Sequence, residues 1–300
     1  MTVADRFQTL LLQIDVPQRE IDDYAGHYWS VSRAVVDEYP GSECSRIGSH
    51  VRGSAIGGQS DLDLLARLPV DSVRRSTDNT LISSGTVLEN VRQRLLYRFP
   101  YTAIGRDGQA IVVNFASGQR DIDVVPAVWC GMIDVAPLSA KRPAFLIPDG
   151  FGGWMRTSPQ AHNDYIASAD ARAAGKLTRI AKLLRYWRRC RTPVVPMLTF
   201  HAELVLAQES ACVGARSYAS ILADTFALLA DRGGRGLQDP LQISGIIPIA
   251  STDPKRDQLA FALRHAADRA AKAVCFENCG QISAAYDQWS LVFNGAFPTR

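Results

Sequence analysis

The chain has 300 residues, 47% of them apolar, which suffices for one large domain or two lobes that share a cleft and excludes a disordered protein. Its 33 lysines and arginines stand against 30 acidic residues, and a formal charge of +3 is too small for a protein that coats nucleic acid. We therefore expect no long nucleic-acid partner. No stretch reaches the roughly 18 unbroken apolar residues of a membrane span, and acidic residues stand near the amino terminus, so we expect a cytoplasmic chain without a membrane contact.

Pro17 divides the amino-terminal stretch into two predicted helices. The second, over residues 18–38, is long enough to be a spine helix that runs along both lobes. Alternating polarity and β-branched residues then predict short strands over 61–68, 110–115 and 120–128, with a turn at 117–118. This part of the chain is typical of an α+β domain, which we place over residues 1–155.

Helical periodicity characterises the remainder of the chain. Helices are predicted over 175–191, 199–208, 218–231 and 256–276, with prolines and glycines at the joints. The glycine-rich run 229–236 is typical of a flexible connector. We therefore expect a second, helical domain over 156–300. The six scattered cysteines show neither zinc-site nor disulfide spacing, so we interpret them as reduced thiols of the core.

Two aspartates, Asp61 and Asp63, open the first predicted strand. Alternate side chains of a strand share a face, so these carboxylates point the same way while Leu62 and Leu64 point into the core. Carboxylates forced together repel unless a cation lies between them, and hard oxygen ligands suit magnesium or manganese. The alternative is an exposed strand that carries acids for solubility.

Asp121 and Asp123 repeat this arrangement on the strand over 120–128. If the two strands are neighbours, three carboxylates can converge around two metal ions about 4 Å apart, the geometry that clamps the entering and leaving oxygens of phosphoryl transfer. Two valines and Pro126 follow Asp123, so we expect the strand to bury its next residues and stop. This favours Asp123 over Asp121 as the inner carboxylate.

A glycine-rich loop precedes Asp61. Gly48 and Ser49 can bring backbone amides and a hydroxyl close to phosphate oxygens, as the binding of a nucleoside triphosphate requires. The loop is not a P-loop, because Ser54 stands where that motif needs lysine. The alternative is an ordinary glycine-rich turn.

The predicted helix over 175–191 has one apolar and one cationic face. The cationic face carries Arg179, Lys182, Arg185 and Arg189 at intervals of three or four residues. Four adjacent positive charges repel unless an anion answers them, so a triphosphate tail or a departing pyrophosphate is a suitable partner. The alternative is a solvated face whose charges pair with acids elsewhere. On the next helix, Thr199 can cap the helix or touch phosphate, and Phe200 can lie against a base.

Taken in order, Gly48-Ser49, Asp61-Leu62-Asp63 and the Asp123-Val-Val-Pro-Ala segment resemble the signature of the polymerase-β-like nucleotidyltransferases. The most similar branch contains the oligoadenylate synthases, cyclic GMP-AMP synthase and the bacterial CD-NTases, which make cyclic oligonucleotides. Segments around Trp154, Trp187 and Trp289 also resemble the bacterial pattern. The likeness therefore spans nearly the whole chain.

The resemblance implies an α+β fold, in which a polymerase-β-like nucleotidyltransferase lobe with a small mixed sheet packs on a C-terminal helical lobe, beside a long N-terminal spine helix. It implies that Asp61 and Asp63 hold two magnesium ions, with manganese as an alternative. Asp123 would complete the site and help to deprotonate the acceptor hydroxyl. The residues expected to bind the nucleotide are Gly48, Ser49, Ser60, Lys182, Arg185, Thr199 and Phe200. Arg185 stands where the family usually has lysine, and Phe200 stands where tyrosine is common.

The implied reaction joins nucleoside triphosphates, either ATP, GTP or pyrimidine triphosphates. The 2′- or 3′-hydroxyl of one attacks the α-phosphate of another, pyrophosphate leaves, and ring closure yields a cyclic di- or trinucleotide. In the bacterial systems that the chain resembles, such a messenger activates an antiviral effector protein. Two alternatives stay open: a nucleotidyltransferase that modifies an RNA 3′ end, a protein or a small molecule, and a catalytically inactive nucleotide sensor.

Overall fold

Two compact units make up the computed structural model, which describes residues 2–115, 121–137 and 140–298. We call them the sheet unit, Val16–Gly53 with Gly57–Asp164, and the helical unit, Met1–Asp15 with Ser54–Ile56 and Tyr165–Arg300. This grouping differs from a single division at residue 155. The reason is that Phe7 and Ile56, at 0% and 1% exposure, belong to the apolar core of the helical unit.

In the described residues, the sheet unit combines the long helix α2, the shorter helix α5, the start of a third helix, two single-turn helices and seven strands. Its elements are α2 (Gln18–Glu38), β1 (Glu43–Ile47), α3 (Gly48–Val51), β2 (Leu62–Arg67), α4 (Val70–Val73), α5 (Ser84–Arg98), β3 (Ala103–Asp107), β4 (Ala110–Asn114), β5 (Ile122–Ile133), β6 (Arg142–Pro148), β7 (Trp154–Thr157) and the start of α6 (Pro159–Arg172). The predicted helix over 18–38 is confirmed. The predicted turn at 117–118 lies outside the described residues.

The strands form a mixed sheet in the order β1-β2-β5-β4-β3, and β6 extends from β5 and pairs with β7. The β2–β5 pair is parallel, whereas the other pairs of this sheet are antiparallel. One face is covered by an apolar core that includes Leu62, Leu64, Ile122 and Val124, each at most 1% exposed. The alternation predicted for the aspartate strands is therefore confirmed, because these residues occupy the face opposite the carboxylates.

Strand β5 does not stop at Pro126, and that expectation is wrong. Pro126 pairs with Ala66 of β2, and the strand continues to Ile133. On its other edge β5 pairs with β4 as far as Val124 and with β6 from Val128. Proline cannot donate a ladder hydrogen bond, so it is tolerated in the gap between these two partner strands.

The helical unit contains the remaining helices of the described residues and a pair of two-residue strands. Its elements are α1 (Val3–Gln13), the end of α6, α7 (Lys176–Arg189), α8 (Thr199–Gln208), α9 (Tyr218–Asp231), β8 (Leu237–Gln238), β9 (Ile246–Ile247), α10 (Asp253–Asn278) and α11 (Ile282–Val292). The four predicted helices are confirmed. Helix α10 begins earlier than predicted, because the Thr252 hydroxyl caps it and Pro254 fits its first turn.

Two predictions need correction. The run 229–236 is not a connector throughout: residues 229–231 end α9, and only the residues after them lead to β8. The six cysteines are free, but only Cys212 is buried, and Cys130, Cys275 and Cys279 are exposed. The apolar character of the cysteine side chain does not by itself indicate whether a given cysteine is buried or exposed. No helix in the described ranges is both long and apolar enough to cross a membrane.

Candidate active site

The two aspartate strands are neighbours in the sheet unit. In the parallel pairing of β2 with β5, Asp63 stands directly opposite Asp123. Residues paired in this way project from the same face of a sheet, so the two carboxylates share a face. Asp61 lies two residues before Asp63, and the Asp121 carbonyl accepts a hydrogen bond from the Leu62 amide at 3.2 Å. The structure therefore brings the three predicted carboxylates to one end of adjacent strands.

The carboxylate of Asp123 is strongly perturbed. Burial first, and then the negative charges of Asp63, Asp61, Asp107 and Asp121, raise the pKa of Asp123 from 3.8 to about 8. A partly buried acid among other acids favours its neutral form, and a bound cation would reverse that preference. The electrostatics are those expected of a binding site for positive charge.

Asp107 was not found by sequence reasoning. It ends β3, where it pairs with Ala110 of β4, and this register places it on the same face as Asp123. Its negative charge contributes to the raised pKa of Asp123. A lone aspartate before a turn gives no local signal of this role, because only the sheet order connects the two residues.

A divalent cation suits the chemistry of these donors, since carboxylate oxygens are preferred by magnesium and manganese. Within the described residues, no three His, Cys, Asp or Glu side chains are already gathered at metal-ligating distances. The fit to a metal therefore rests on the donor type and on the electrostatic coupling of Asp61, Asp63 and Asp123. These are the residues that would hold the ion.

Gly48 lies against the Asp63 carboxylate. Its φ of +77° is in the left-handed region, and a β-carbon placed on it would overlap Asp63. Glycine is required on both counts. The next residue, Ser49, is 5% exposed and lies in the single turn α3, directly after β1. The predicted phosphate-binding loop and the first aspartate strand are thus in direct contact.

The loop before Asp61 is tied to α2. The Tyr24 hydroxyl lies 2.6 Å from the carbonyl oxygen of Ser60, a residue that is itself 2% exposed. The Gly58 amide donates to both carboxylate oxygens of Glu20, at 3.1 and 2.8 Å. Sequence reasoning assigned Ser60 to the nucleotide but missed Tyr24 and Glu20, which lie 34 or more positions upstream in the chain.

The cationic face of α7 has protein partners. The Arg179 guanidinium donates to the Tyr218 hydroxyl at 2.7 Å, and the Lys182 ammonium pairs with Asp15 at 2.6 Å. The expectation that an outside anion must answer these charges is therefore too simple. The alternative reading, pairing within the chain, accounts for part of this face.

Arg185 is enclosed, with a side chain that is 13% exposed. It pairs with Glu203 of α8 at 3.5 Å and donates to the Ser54 carbonyl at 3.1 Å. The Ser54 hydroxyl donates to Glu203 at 2.9 Å. Ser54, Arg185 and Glu203 thus form one hydrogen-bonded group, which we call the clamp. It links the segment 54–56 to α7 and α8 of the helical unit.

The last predicted contacts lie at the start of α8. Thr199 is its first residue, and Phe200 is partly buried against the core of the helical unit. The adjacent His201 is fully buried, and burial lowers its pKa to about 4, so its ring is neutral near pH 7. The predicted site residues fall in both units. The sheet unit contains the three aspartates with Gly48, Ser49 and Ser60, and the helical unit contains Lys182, Arg185, Thr199 and Phe200.

Residues 1–169 match the Second Messenger Oligonucleotide or Dinucleotide Synthetase domain. The chain belongs to this family. It is similar to cyclic AMP-AMP-AMP synthases of Escherichia coli (strain MS 115-1), 21% identical over 65% of this chain, and of Acinetobacter sp. (strain ATCC 27244 / 9458), 23% identical over 63%. The alignments span 60% and 53% of those two relatives.

Solved structures of this kind share the fold. The E. coli CdnC structure with ATP has a TM-score of 0.70 at 19% identity, and the match covers 98% of each chain. Vibrio cholerae DncV, a cyclic AMP-GMP synthase, has a TM-score of 0.62 at 14% identity, covering 89% of this chain and 72% of that one. The predicted α+β architecture of this family member, with its small mixed sheet, long amino-terminal helix and helical C-terminal part, is confirmed.

Proposed function

We propose that this synthetase-family chain makes a cyclic di- or trinucleotide from nucleoside triphosphates and releases pyrophosphate. The observation that carries the proposal is the parallel register of Asp63 with Asp123, beside Asp61 and in contact with Gly48. Carboxylates on adjacent strands next to a loop of small residues suit the transfer of a nucleotidyl group. Membership of the Second Messenger Oligonucleotide or Dinucleotide Synthetase family supports the same reaction class.

The chemistry is a displacement at phosphorus. The 2′- or 3′-hydroxyl oxygen of one nucleotide bonds to the α-phosphorus of another, and the bond from that phosphorus to the bridging oxygen of the pyrophosphate breaks. Asp123 is the proposed aid to deprotonation of the hydroxyl, a role that rests on the family resemblance and on its position opposite Asp63. A second displacement within the linear product closes the ring.

Asp61, Asp63 and Asp123 would hold two magnesium ions, or manganese. When bound, such ions lower the negative charge of the phosphates and favour ionisation of the attacking hydroxyl. Ser49 and the Gly48 backbone would bind the triphosphate, and Ser60 would contact it from the loop before Asp61. Gly48 keeps Asp63 in place by leaving room for its carboxylate.

Nucleotide contacts from the helical unit are proposed on the family resemblance. Thr199 would touch phosphate, and Phe200 would stack on a base. Lys182 and Arg185 would lower the charge of the phosphates. Of these two, Lys182 is the stronger candidate, because Asp15, its partner, is 59% exposed, whereas Arg185 is enclosed with Glu203.

ATP is the first substrate to test, because two relatives are cyclic AMP-AMP-AMP synthases. We also propose that the product is a messenger read by a separate effector protein in antiviral defence. The protein would be incubated with each pair of labelled ATP, GTP, CTP and UTP and with magnesium or manganese, then treated with phosphatase. The expected result is a small, phosphatase-resistant product that chromatography resolves from free phosphate.

Other products would overturn the proposal. Label transferred only to added RNA, protein or a small-molecule acceptor would support a modifying nucleotidyltransferase. Nucleotide binding without any product would support an inactive sensor. The strong negative potential around Asp123 argues against the sensor, since gathering carboxylates lowers stability unless a cation is bound.

A further inference from the structure

The loop between the phosphate-binding turn and the first aspartate strand is held by α2. Tyr24 is 4% exposed, and its hydroxyl lies 2.6 Å from the Ser60 carbonyl oxygen and 2.9 Å from a Glu20 carboxylate oxygen. The Gly58 amide in turn donates a bifurcated hydrogen bond to the two carboxylate oxygens of Glu20. One turn of α2 therefore binds both ends of the segment 58–60, and Asp61 is the next residue.

The Tyr24 ring also contacts the other side of the site. It packs edge-on against His50, with ring centroids 4.8 Å apart, and His50 follows Ser49 in α3. The His50 Nε2 atom lies 3.5 Å from the same Ser60 carbonyl oxygen. A single buried tyrosine thus touches the turn that carries Ser49 and the loop that leads to Asp61.

We infer that Tyr24, supported by Glu20, is a positioning residue for nucleotidyl transfer: it sets where Asp61 and Ser49 stand relative to each other. The inference rests on the proposed function for its catalytic consequence. Its physical basis is independent of that function. A buried hydroxyl that donates to a backbone carbonyl fixes the position of that carbonyl. Removal of the hydroxyl takes away one hydrogen bond of the buried carbonyl oxygen.

Helix α2 supplies a matched control one turn later. The Tyr28 hydroxyl also donates to a backbone carbonyl, that of Cys44 in β1, at 3.1 Å. Tyr28→Phe removes the same kind of hydrogen bond from the same helix without touching the segment 58–60. Tyr28→Phe therefore reports the effect of losing one tyrosine hydrogen bond of α2 while the segment 58–60 is untouched.

The test measures the binding of Mn²⁺ to the metal-free protein by electron paramagnetic resonance and the turnover of triphosphates, for the wild type and both variants. We expect Tyr24→Phe to weaken Mn²⁺ binding about three- to tenfold, the equivalent of one hydrogen bond, and to lower kcat with little change in KM. Tyr28→Phe should match the wild type in both. Glu20→Gln should weaken Mn²⁺ binding less than Tyr24→Phe does, because the amide oxygen can still accept from Gly58.

Equal Mn²⁺ affinity and equal kcat in the two tyrosine variants would overturn the inference. A parallel fall in both variants would also overturn it, since that result assigns the effect to fold stability. If the wild type binds Mn²⁺ but forms no oligonucleotide, the proposed function fails, and the Mn²⁺ affinities still decide on Tyr24. If the wild type binds no Mn²⁺, both proposals fail.

Discussion

The aspartate face of the sheet and the cationic face of α7 handle charge in opposite ways. On the sheet, partial burial and then the negative charges of the neighbouring aspartates raise the pKa of Asp123. On α7, Lys182 and Arg185 pair with Asp15 and Glu203. Like charges that are gathered at one point lower stability until a counter-ion binds. Charges that are paired within the chain need no outside counter-ion. This contrast favours the sheet as the place where a ligand would bind.

The largest effect that this comparison predicts is the loss of turnover in Asp63→Asn. The substitution removes one negative charge opposite Asp123 but keeps the shape of the side chain, so the fold should persist. Turnover should fall at least about a hundredfold, as it does when a main electrostatic contact to a reacting group is removed. Product formation and circular dichroism check the two halves of the prediction.

Asp134→Asn is the control for that variant, because the Asp134 side chain is 84% exposed and follows the same strand β5. It should retain wild-type turnover. Full activity in Asp63→Asn would contradict the proposed site.

Gly48→Ala should nearly abolish turnover as well. Its β-carbon would overlap the Asp63 carboxylate, and its φ of +77° disfavours alanine. Gly131→Ala in β5 is the matched control, since Gly131 also has a positive φ, +97°, but a β-carbon there meets no atom within 4 Å. Initial rates of both variants test whether the contact between Gly48 and Asp63 matters; similar rates would show that it does not.

On the other side of the comparison, Glu203→Ala should lower stability by about 3 kcal/mol or more, because it removes the carboxylate that pairs with the enclosed Arg185 and accepts from the buried Ser54 hydroxyl. Asp15→Ala breaks the Lys182 pair, whose acid is 59% exposed, and should cost about 1 kcal/mol or less. Urea unfolding measures both values. A cost for Glu203→Ala as small as that for Asp15→Ala would mean that the clamp contributes little to the fold.

A gain in thermal stability, opposite in sign to the losses above, is predicted for Asp123→Asn in EDTA. The folded pKa of Asp123, about 8, lies above its ordinary value of 3.8, so the folded state binds the proton more tightly than the unfolded state does. The metal-free wild type should therefore lose stability as the pH rises from about 4 to 8, whereas the variant lacks this contribution. The difference in Tm should widen by a few degrees between pH 5 and pH 8.

Magnesium should reverse the order of the two proteins, because only the wild type retains all three carboxylates. Adding the ion should raise the Tm of the wild type and leave that of Asp123→Asn nearly unchanged. Identical pH profiles of Tm for the two proteins in EDTA would show that the pKa of Asp123 is not raised in the folded state.

Much of the site was predictable because its signals are local. The alternation around Asp61 and Asp63 indicates which side chains share a face, and the periodicity of 199–208 and 218–231 matches α8 and α9 at both ends. Pro126 misled the prediction, because its tolerance depends on which partner strand lies beside it. Asp107 and Tyr24 were missed for the same reason: their neighbours in space are distant in sequence.

The sequence by itself determined the order of helices and strands, the faces of the aspartate strands and the resemblance to a nucleotidyltransferase, since each depends on spacing within a short segment. Only the tertiary structure decided that Asp63 stands opposite Asp123, that Tyr24 touches the loop before Asp61, and that Arg185 is enclosed with Glu203. Strand order, register and the partners of long side chains depend on contacts between distant residues. No local period encodes them.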